Sequence, residues 1–489
     1  MIYSFHHYYH WVKGGVETGL AYRAKVFRNL GLDAKFVLAT VFPEHNVWDE
    51  VRRLGLRDSE VLWMYDFFID CRPSVVTYTL EELERTFEGE DFIFSRKGSL
   101  ARYDFPDTNT YYTAFLMDDM SNFVYSVVMI SNACLVRKDY YTYCRKYSEY
   151  YTPVDGQAIL YLRRFFNEDG SVAYEELADG GTVLYKFPDR FMYSREELVG
   201  YMMSELKLTE NDVVLIDGEW GMIDRAAFIQ NADPARIGFI FHSNHFRGSD
   251  EEHVLWYDAF SYALSHPEKI SFFVTNTEVQ SNILRNQFRC YKNLDVKVET
   301  IPVAYLDKIR IPEGDRKRYS IVTAGRLQAD KRTDWIIEAV ALAKQVIPDL
   351  TLDIYGEGPE RNNLQNLIHE LGCGDYIHLC GFQSLNEIYQ NYELYLSASY
   401  GETFGITLLE AIGSGLPIVG FDLPYGMQVF VDEGKNGYKV TDISARGLAD
   451  AIVRFFSEAD LGAFQRHSYE KAKSYLQAEI EKKWEEILS

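Results

Sequence analysis

The chain has 489 residues, with 50 Lys and Arg against 73 Asp and Glu for a formal charge of −23, and this excess of carboxylates excludes a general affinity for nucleic acid or anionic lipid. Being 47% hydrophobic and 25% charged, it has a globular rather than a disordered composition, with length for about three domains. Six cysteines, Cys71, Cys134, Cys144, Cys290, Cys373 and Cys380, lie without CxxC spacing, so neither a disulfide framework nor a zinc site is expected and the reading is a reducing cytosol.

The opening Met1-Ile2-Tyr3-Ser4-Phe5-His6-His7 lacks the basic and apolar segments of a secretory signal, and no apolar run reaches the ~18 residues that span a bilayer. Neither a cleaved signal nor a membrane-spanning segment is expected. Residues 2–5 read as a buried strand, and Lys13-Gly14-Gly15-Val16-Glu17 as a turn. Residues 19–29, with Leu20, Ala24 and Phe27 at helical spacing, read as a helix stopped by Gly31. A second strand follows at 34–39, which is how a doubly wound α/β domain begins. His6, His7 and His10 have no carboxylate at helical spacing, so no metal site is expected.

From about residue 61 to 192 the pattern changes to short aromatic or alternating runs. They are separated by the turn signals Lys97-Gly98, Asp169-Gly170 and Asp179-Gly180-Gly181. Strands are expected at 91–94, 111–117, 123–130, 157–163 and 182–187. With 36 Tyr and 31 Phe in the chain, this reads as an antiparallel, β-rich insertion over 51–199. Parallel, doubly buried strands resume at 213–217, 237–242 and 270–274. A linker at 308–318 contains Pro312-Glu313-Gly314, and a second α/β series has strands at 319–323, 352–355, 377–379, 394–396 and 418–420. Leu476, Ile480, Trp484 and Ile487 form one apolar stripe on a C-terminal helix. The expected organisation is 1–50 with 200–310 as a first Rossmann-like domain, 51–199 as insertion, 311–465 as a second Rossmann-like domain, and 466–489 as a helix returning to the first.

Four segments of the second series fall at carboxyl ends of strands, where open parallel sheets bind ligands. Thr323-Ala324-Gly325-Arg326 leads to Lys331, placing two cations five apart across a turn where they can hold a diphosphate and stabilise it as it leaves. Tyr355-Gly356-Glu357-Gly358 ends a strand in glycines that permit close backbone approach. Glu402 and Glu410 are eight apart, with Phe404, Gly405, Ile406 and Thr407 between them at a helix start whose free N–H groups suit phosphate oxygens. Gly413-Ser414-Gly415-Leu416-Pro417-Ile418 makes a tight helix-to-strand connection.

In this order the motifs resemble the retaining nucleotide-sugar glycosyltransferases of family 4, whose GT-B fold sets two Rossmann-like domains around a cleft. Glu402…Glu410 with Arg326 and Lys331 is that family's signature, over about 320–445. A narrower resemblance runs through Gly14-Gly15-Val16-Glu17, Asn167-Glu168-Asp169-Gly170, His242 and the run from Ala411 to Gly426. It is to the accessory-Sec glycosyltransferase A group, which moves N-acetylglucosamine from UDP-GlcNAc to Ser/Thr of serine-rich adhesins with a non-catalytic glycosyltransferase B partner. Wall teichoic acid glycosyltransferases share the architecture and are the rival. The aromatic, basic segment from His6 to Lys13 departs from the first group.

The resemblance implies roles. Arg326 and Lys331, with Gly325 beside them, would hold the UDP diphosphate, and Gly14, Gly15 and Val16 would approach it from the other domain. Gly356 would lie close to the nucleotide, Glu410 would bind the ribose hydroxyls, and Glu402 with Phe404, Gly405, Ile406 and Thr407 would hold donor sugar and phosphate. His242 would contact the sugar or order the acceptor. No cofactor and no metal is implied beyond the UDP-sugar itself. The expected partners are a Ser/Thr-rich acceptor protein and a B-type subunit; the expected location is cytoplasmic, peripheral at the membrane's inner face. A reading of another class, a non-catalytic acceptor-binding subunit, is disfavoured because such a subunit has no use for an intact diphosphate clamp.

Overall fold

The computed structural model describes residues 1–6, 15–41, 46–179, 181–218, 225–249 and 253–489. By packing, these fall into two compact units, one of Met1–Glu17, Leu32–Phe239 and Asp258–Ser271, the other of Thr18–Gly31, Ile240–Tyr257 and Phe272–Ser489.

In chain order the strands are β1 (Ile2–His6), β2 (Ala34–Leu38) and β3 (Val61–Trp63), then β4 (Ile93–Lys97), β5 (Leu100–Phe105), β6 (Thr110–Leu116), β7 (Val124–Ser131), β8 (Cys134–Tyr141), β9 (Arg145–Val154), β10 (Gln157–Phe166), β11 (Val172–Asp179), β12 (Thr182–Lys186) and β13 (Phe191–Met192). The α/β pattern returns with β14 (Val213–Gly218) and β15 (Arg236–Phe241), a short hairpin of β16 (Phe246–Ser249) and β17 (Val254–Trp256), and β18 (Phe272–Thr275) and β19 (Val298–Thr300). The last series is β20 (Ser320–Ala324), β21 (Thr351–Tyr355), β22 (Ile377–Gly381), β23 (Leu394–Ser397), β24 (Ile418–Phe421) and β25 (Gly437–Val440).

These strands build a seven-stranded sheet in the order β19-β18-β15-β14-β1-β2-β3, a six-stranded sheet in the order β22-β21-β20-β23-β24-β25, and between them in sequence a ten-stranded sheet running β13 to β4 in consecutive order. The ladders of the two smaller sheets are parallel, Ile2 facing both Val213 and Ala34, and Ile321 facing both Leu352 and Leu394. Every residue of β14 is buried, as a strand with helices on both faces requires.

The ten-stranded sheet is a plain antiparallel meander. Two of its turns, Asn132-Ala133 and Asp155-Gly156, have positive φ at both positions, the tight hairpin geometry that matches strand twist. On one face a row of rings crosses the strands. Tyr140 stacks on Tyr147 at 4.4 Å, Phe165 on Tyr174 at 4.3 Å and Tyr174 on Phe187 at 4.8 Å. Tyr65, just past β3, stacks on Phe165 and its carbonyl accepts the Tyr174 hydroxyl at 2.9 Å. Each ring pair adds about 0.5–1.5 kcal/mol beyond the area it buries, so the row seats the insertion on the segment that follows β3.

The first helix runs Gly15–Asn29, so the turn expected at 13–17 is corrected in its second half: Gly15, Val16 and Glu17 are helical, and Glu17 in the first turn suits the helix dipole. Lys13 and Gly14 lie outside the described residues, as do His7 and His10. Leu20, Ala24 and Phe27 are buried, as their spacing requires. The C-terminal helix, Gln477–Leu488, buries Ile480, Trp484 and Ile487. Trp484 meets Phe27 edge-on at 5.3 Å, the Asn29 amide donates to Glu481 at 2.7 Å, and Lys483 donates to the Thr300 carbonyl at 3.1 Å. Among the described residues no helix is long and apolar enough to cross a membrane.

Candidate functional site

The site is assembled at the carboxyl ends of β20, β21 and β23. After β20 the chain turns through Gly325 and Arg326 into the short 3-10 turn Ala329–Lys331. The Asp330 carbonyl accepts the Tyr400 N–H at 3.0 Å, which aligns this turn with the loop after β23. Lys331 Nζ then donates to Glu402 Oε1 at 2.6 Å, and Ser399 Oγ donates to the same oxygen at 3.0 Å. Both charged side chains are partly open to solvent, so the pair is worth well under the value of a buried one and can be exchanged for an incoming anion. Arg326 is exposed, and among the described residues its side chain has no ion pair or hydrogen bond. Two cations are therefore presented, one uncommitted and one held by a replaceable carboxylate.

Gly325 and Gly356 are where main chain meets main chain. Gly325 N–H donates to the Tyr355 carbonyl at 3.0 Å and Leu327 N–H to the Glu357 carbonyl at 2.9 Å. A Cβ at Gly356 would lie 1.8 Å from the Gly325 oxygen, and one at Gly358 2.3 Å from the Leu327 oxygen. Gly356, expected to lie close to the nucleotide, admits the neighbouring loop in the structure, and this contact fixes the cation-bearing turn against β21.

The carboxylate loop is pinned from the other side. Tyr425 and Gly426 N–H both donate to the Glu402 carbonyl at 2.8 Å, and the buried Phe404 ring packs on Phe430. Gly405, at φ +85°, caps the helix Ile406–Gly413. In that conformation glycine avoids the strain any side chain would meet. The first N–H groups of this helix have no partner within it and point out of its start. Thr407 Oγ1 lies 2.9 Å from the Tyr395 hydroxyl, which also lies 2.9 Å from the Ala324 carbonyl, joining helix, β23 and β20.

Glu410 sits further along the same helix. Burial pushes its carboxyl up to about 7, against the opposing pull of the Arg310 guanidinium and of the nearby Tyr389 hydroxyl. It is poised to accept hydrogen bonds from neutral hydroxyls once ionised. His242, just past β15, lines a small pocket with Gly19, Tyr22, Arg23, Asn276 and Trp484. His245 is a buried structural histidine: its ring bonds Gln287 at 2.8 Å, and burial pushes it down to about 4, so it is neutral. The structure thus joins Lys331 to Glu402 and Gly325 to Gly356, sets Phe404 to Glu410 on one loop and helix, and places Gly15, Val16 and His242 on other elements. Sequence reasoning passed over Ser399, whose only signal is its place three residues before Glu402, and Arg310, which read as linker. Among the described residues no cluster of His, Cys, Asp and Glu could hold a metal.

Residues 93–189 match the GtfA extended beta-sheet domain and residues 307–474 the glycosyl transferases group 1 family. The chain is 39% identical, over 99% of its length and 97% of the relative's, to the UDP-N-acetylglucosamine–peptide N-acetylglucosaminyltransferase GtfA subunit of Streptococcus agalactiae. It superposes on the crystal structure of the pneumococcal O-GlcNAc transferase GtfA in complex with UDP and GlcNAc with a TM-score of 0.91 at 35% identity, covering 100% of this chain and 98% of that one. On the crystal structure of a GtfA/B complex the values are 0.93 and 37%, with the same coverage. The two parallel sheets and the antiparallel insertion are thus the α/β GT-B fold with an extended β-sheet domain.

Proposed function

The chain belongs to the GtfA family of group 1 glycosyltransferases, and we propose that it transfers N-acetylglucosamine from UDP-GlcNAc to Ser and Thr hydroxyls of an acceptor protein, working with a glycosyltransferase B type subunit. The observation that carries this reading is the Lys331–Glu402 contact at 2.6 Å beside the uncommitted Arg326. A diphosphate entering the turn takes Lys331 from Glu402 and is held by both cations. The released Glu402 carboxylate accepts from donor-sugar hydroxyls, phosphate oxygens lie at the start of the helix Ile406–Gly413, and Glu410 accepts from the ribose.

In the transfer itself the acceptor oxygen forms its bond to the anomeric carbon as the bond from that carbon to the diphosphate oxygen breaks. The acceptor proton passes to the departing phosphate on the same face, so configuration is retained without a protein nucleophile. Arg326 and Lys331 stabilise the charge that grows on the diphosphate, the electrostatic contribution that weighs most in such steps. The ten-stranded sheet, which carries none of these groups, serves acceptor and partner recognition. The enzyme works in the cytoplasm, where UDP-sugars and unpaired thiols such as its six free cysteines are at home, and reaches the inner face of the cell membrane through its partner, since its own charge of −23 opposes binding to anionic lipid.

The test is mass spectrometry of a Ser/Thr-rich acceptor incubated with the chain, the partner subunit and UDP-GlcNAc or UDP-glucose. An N-acetylhexosamine increment with release of UDP is expected. A hexose increment would change the donor, and binding of acceptor without any increment would make the chain a recognition subunit.

A further inference from the structure

A side-chain hydrogen bond ties the loop that carries His242 to the segment after β24, whose main chain in turn holds Glu402. The Tyr425 hydroxyl donates to Asn244 Oδ1 at 2.6 Å, between residues 181 apart in sequence. The orientation of the Asn244 amide follows from its other bond, Nδ2 donating to the Phe246 carbonyl at 2.7 Å, which leaves the oxygen for Tyr425. Among the described residues the Tyr425 hydroxyl has no second partner, so packing of the ring would be served equally by phenylalanine.

Both ends of this bond are anchored in main chain. On one side Tyr425 and Gly426 N–H hold the Glu402 carbonyl, and a Cβ at Gly426 would lie 2.4 Å from the Phe404 oxygen. There is no slack between Tyr425 and the loop from Glu402 to Phe404, so a shift of one moves the other. On the other side Gln280 Nε2 donates to the Ser243 carbonyl at 2.9 Å, Asn276 Nδ2 to the Phe241 carbonyl at 2.9 Å, and Tyr257 N–H to the His245 carbonyl at 3.1 Å. The segment from Phe241 to His245 is therefore a fixed reference, and Tyr425 is the arm that reaches it.

We propose that Asn244 and Tyr425 are a positioning pair, which sets the Glu402 loop in register with the His242 loop before the donor arrives. The pair itself rests on geometry; its kinetic consequence rests on the glycosyl-transfer reading above. Neither residue touches the reacting atoms. Because the bond acts on the placement of Glu402 and not on the cations, its loss is expected in turnover and not in nucleotide affinity.

The experiment compares the wild-type chain with Tyr425→Phe, Asn244→Ala, the double variant and Asn244→Asp. It reads kcat and KM for UDP-GlcNAc, UDP affinity by calorimetry, and amide hydrogen exchange of segments 242–246 and 402–405 without ligand. Each single variant should lose about tenfold in kcat with UDP affinity and KM within about twofold, and the double should lose no more than either single. Both segments should exchange faster, and Asn244→Asp, which keeps an acceptor oxygen for Tyr425 but turns its other oxygen against the Phe246 carbonyl, should recover the turnover only in part. An additive loss in the double variant, of about a hundredfold, or unchanged kcat and exchange in Tyr425→Phe, would overturn the pair. If wild type transfers no sugar from UDP-GlcNAc, the functional reading falls, and the exchange comparison alone decides the pair.

Discussion

In the ten-stranded insertion cohesion comes from side chains standing in rows across the strands, whereas around the six-stranded sheet it comes from backbone pressed on backbone through glycines. Next to the row of rings in the insertion, Arg163 bonds Glu149 at 2.9 Å and pairs with Glu176 as well, and the hydroxyls of Tyr140 and Tyr151 donate to Glu149. Around the six-stranded sheet the decisive distances are those at Gly356 and Gly358, where a single methyl group has no room. A sheet held by side chains can change its residues and keep its frame. A turn held by main chain cannot. On the proposed function, the division suits a protein that holds one donor chemistry constant and adapts to an acceptor.

The largest effect expected from this contrast is in the insertion. Arg163→Met strands two buried carboxylates, at a cost of about 3–5 kcal/mol. Its unfolding should appear as an early transition in denaturant, and UDP binding should survive until the main one. If both are lost together, the insertion is not separately held. Gly356→Ala should follow, costing about 1–3 kcal/mol or more through overpacking against the Gly325 carbonyl and weakening UDP binding with it. Its control is Gly156→Ala in the β9–β10 turn, where φ is +77° but nothing lies within 4 Å of the new Cβ; that change should cost only about 1 kcal/mol and leave UDP binding alone. Equal effects of the two would remove the distinction.

Lys331→Ala and Arg326→Ala should leave thermal stability unchanged and each lower kcat/KM by about a hundredfold, near 3 kcal/mol of transition-state stabilisation. Wild-type turnover in either would dismiss that cation from the clamp. A smaller effect should appear with pH. Burial raises the Glu410 carboxyl from 4.5 to about 7, so the folded protein keeps a proton there that the unfolded chain would release. The stability this contributes is full below about pH 4.5 and is lost as pH rises through 7. Ribose hydroxyls favour the ionised form, so UDP affinity, taken relative to Glu410→Gln to cancel titration of the ligand, should fall as pH drops below 7, by at most about tenfold per unit. A flat ratio from pH 8 to 5.5 would separate Glu410 from the ribose.

Much of the fold was legible because parallel strands such as β14 and β20 are apolar runs buried on both faces, and turns such as Asp169-Gly170 advertise themselves. Within the insertion β9 was harder to read. Lys146, Ser148 and Glu149 are buried although polar, so its alternation is hidden by partners on neighbouring strands. The three-residue strands β3 and β19 are too short to carry a period. At the site Arg326, Lys331, Glu402 and Glu410 could be picked out because each falls in a motif. The Lys331–Glu402 contact spans 71 residues and the Asn244–Tyr425 contact 181, and no local pattern encodes either.

The passage of Lys331 from Glu402 to the donor diphosphate is tested most directly by calorimetry of UDP binding to wild type, Lys331→Ala and Glu402→Gln, with UDP-GlcNAc turnover measured alongside. Removing the competing carboxylate should leave UDP affinity equal or higher while turnover falls by at least about tenfold; removing the cation should weaken UDP and lower kcat/KM by about a hundredfold together. If Glu402→Gln weakens UDP as much as Lys331→Ala does, the carboxylate is holding the lysine in place for the nucleotide, and the exchange of partners is contradicted.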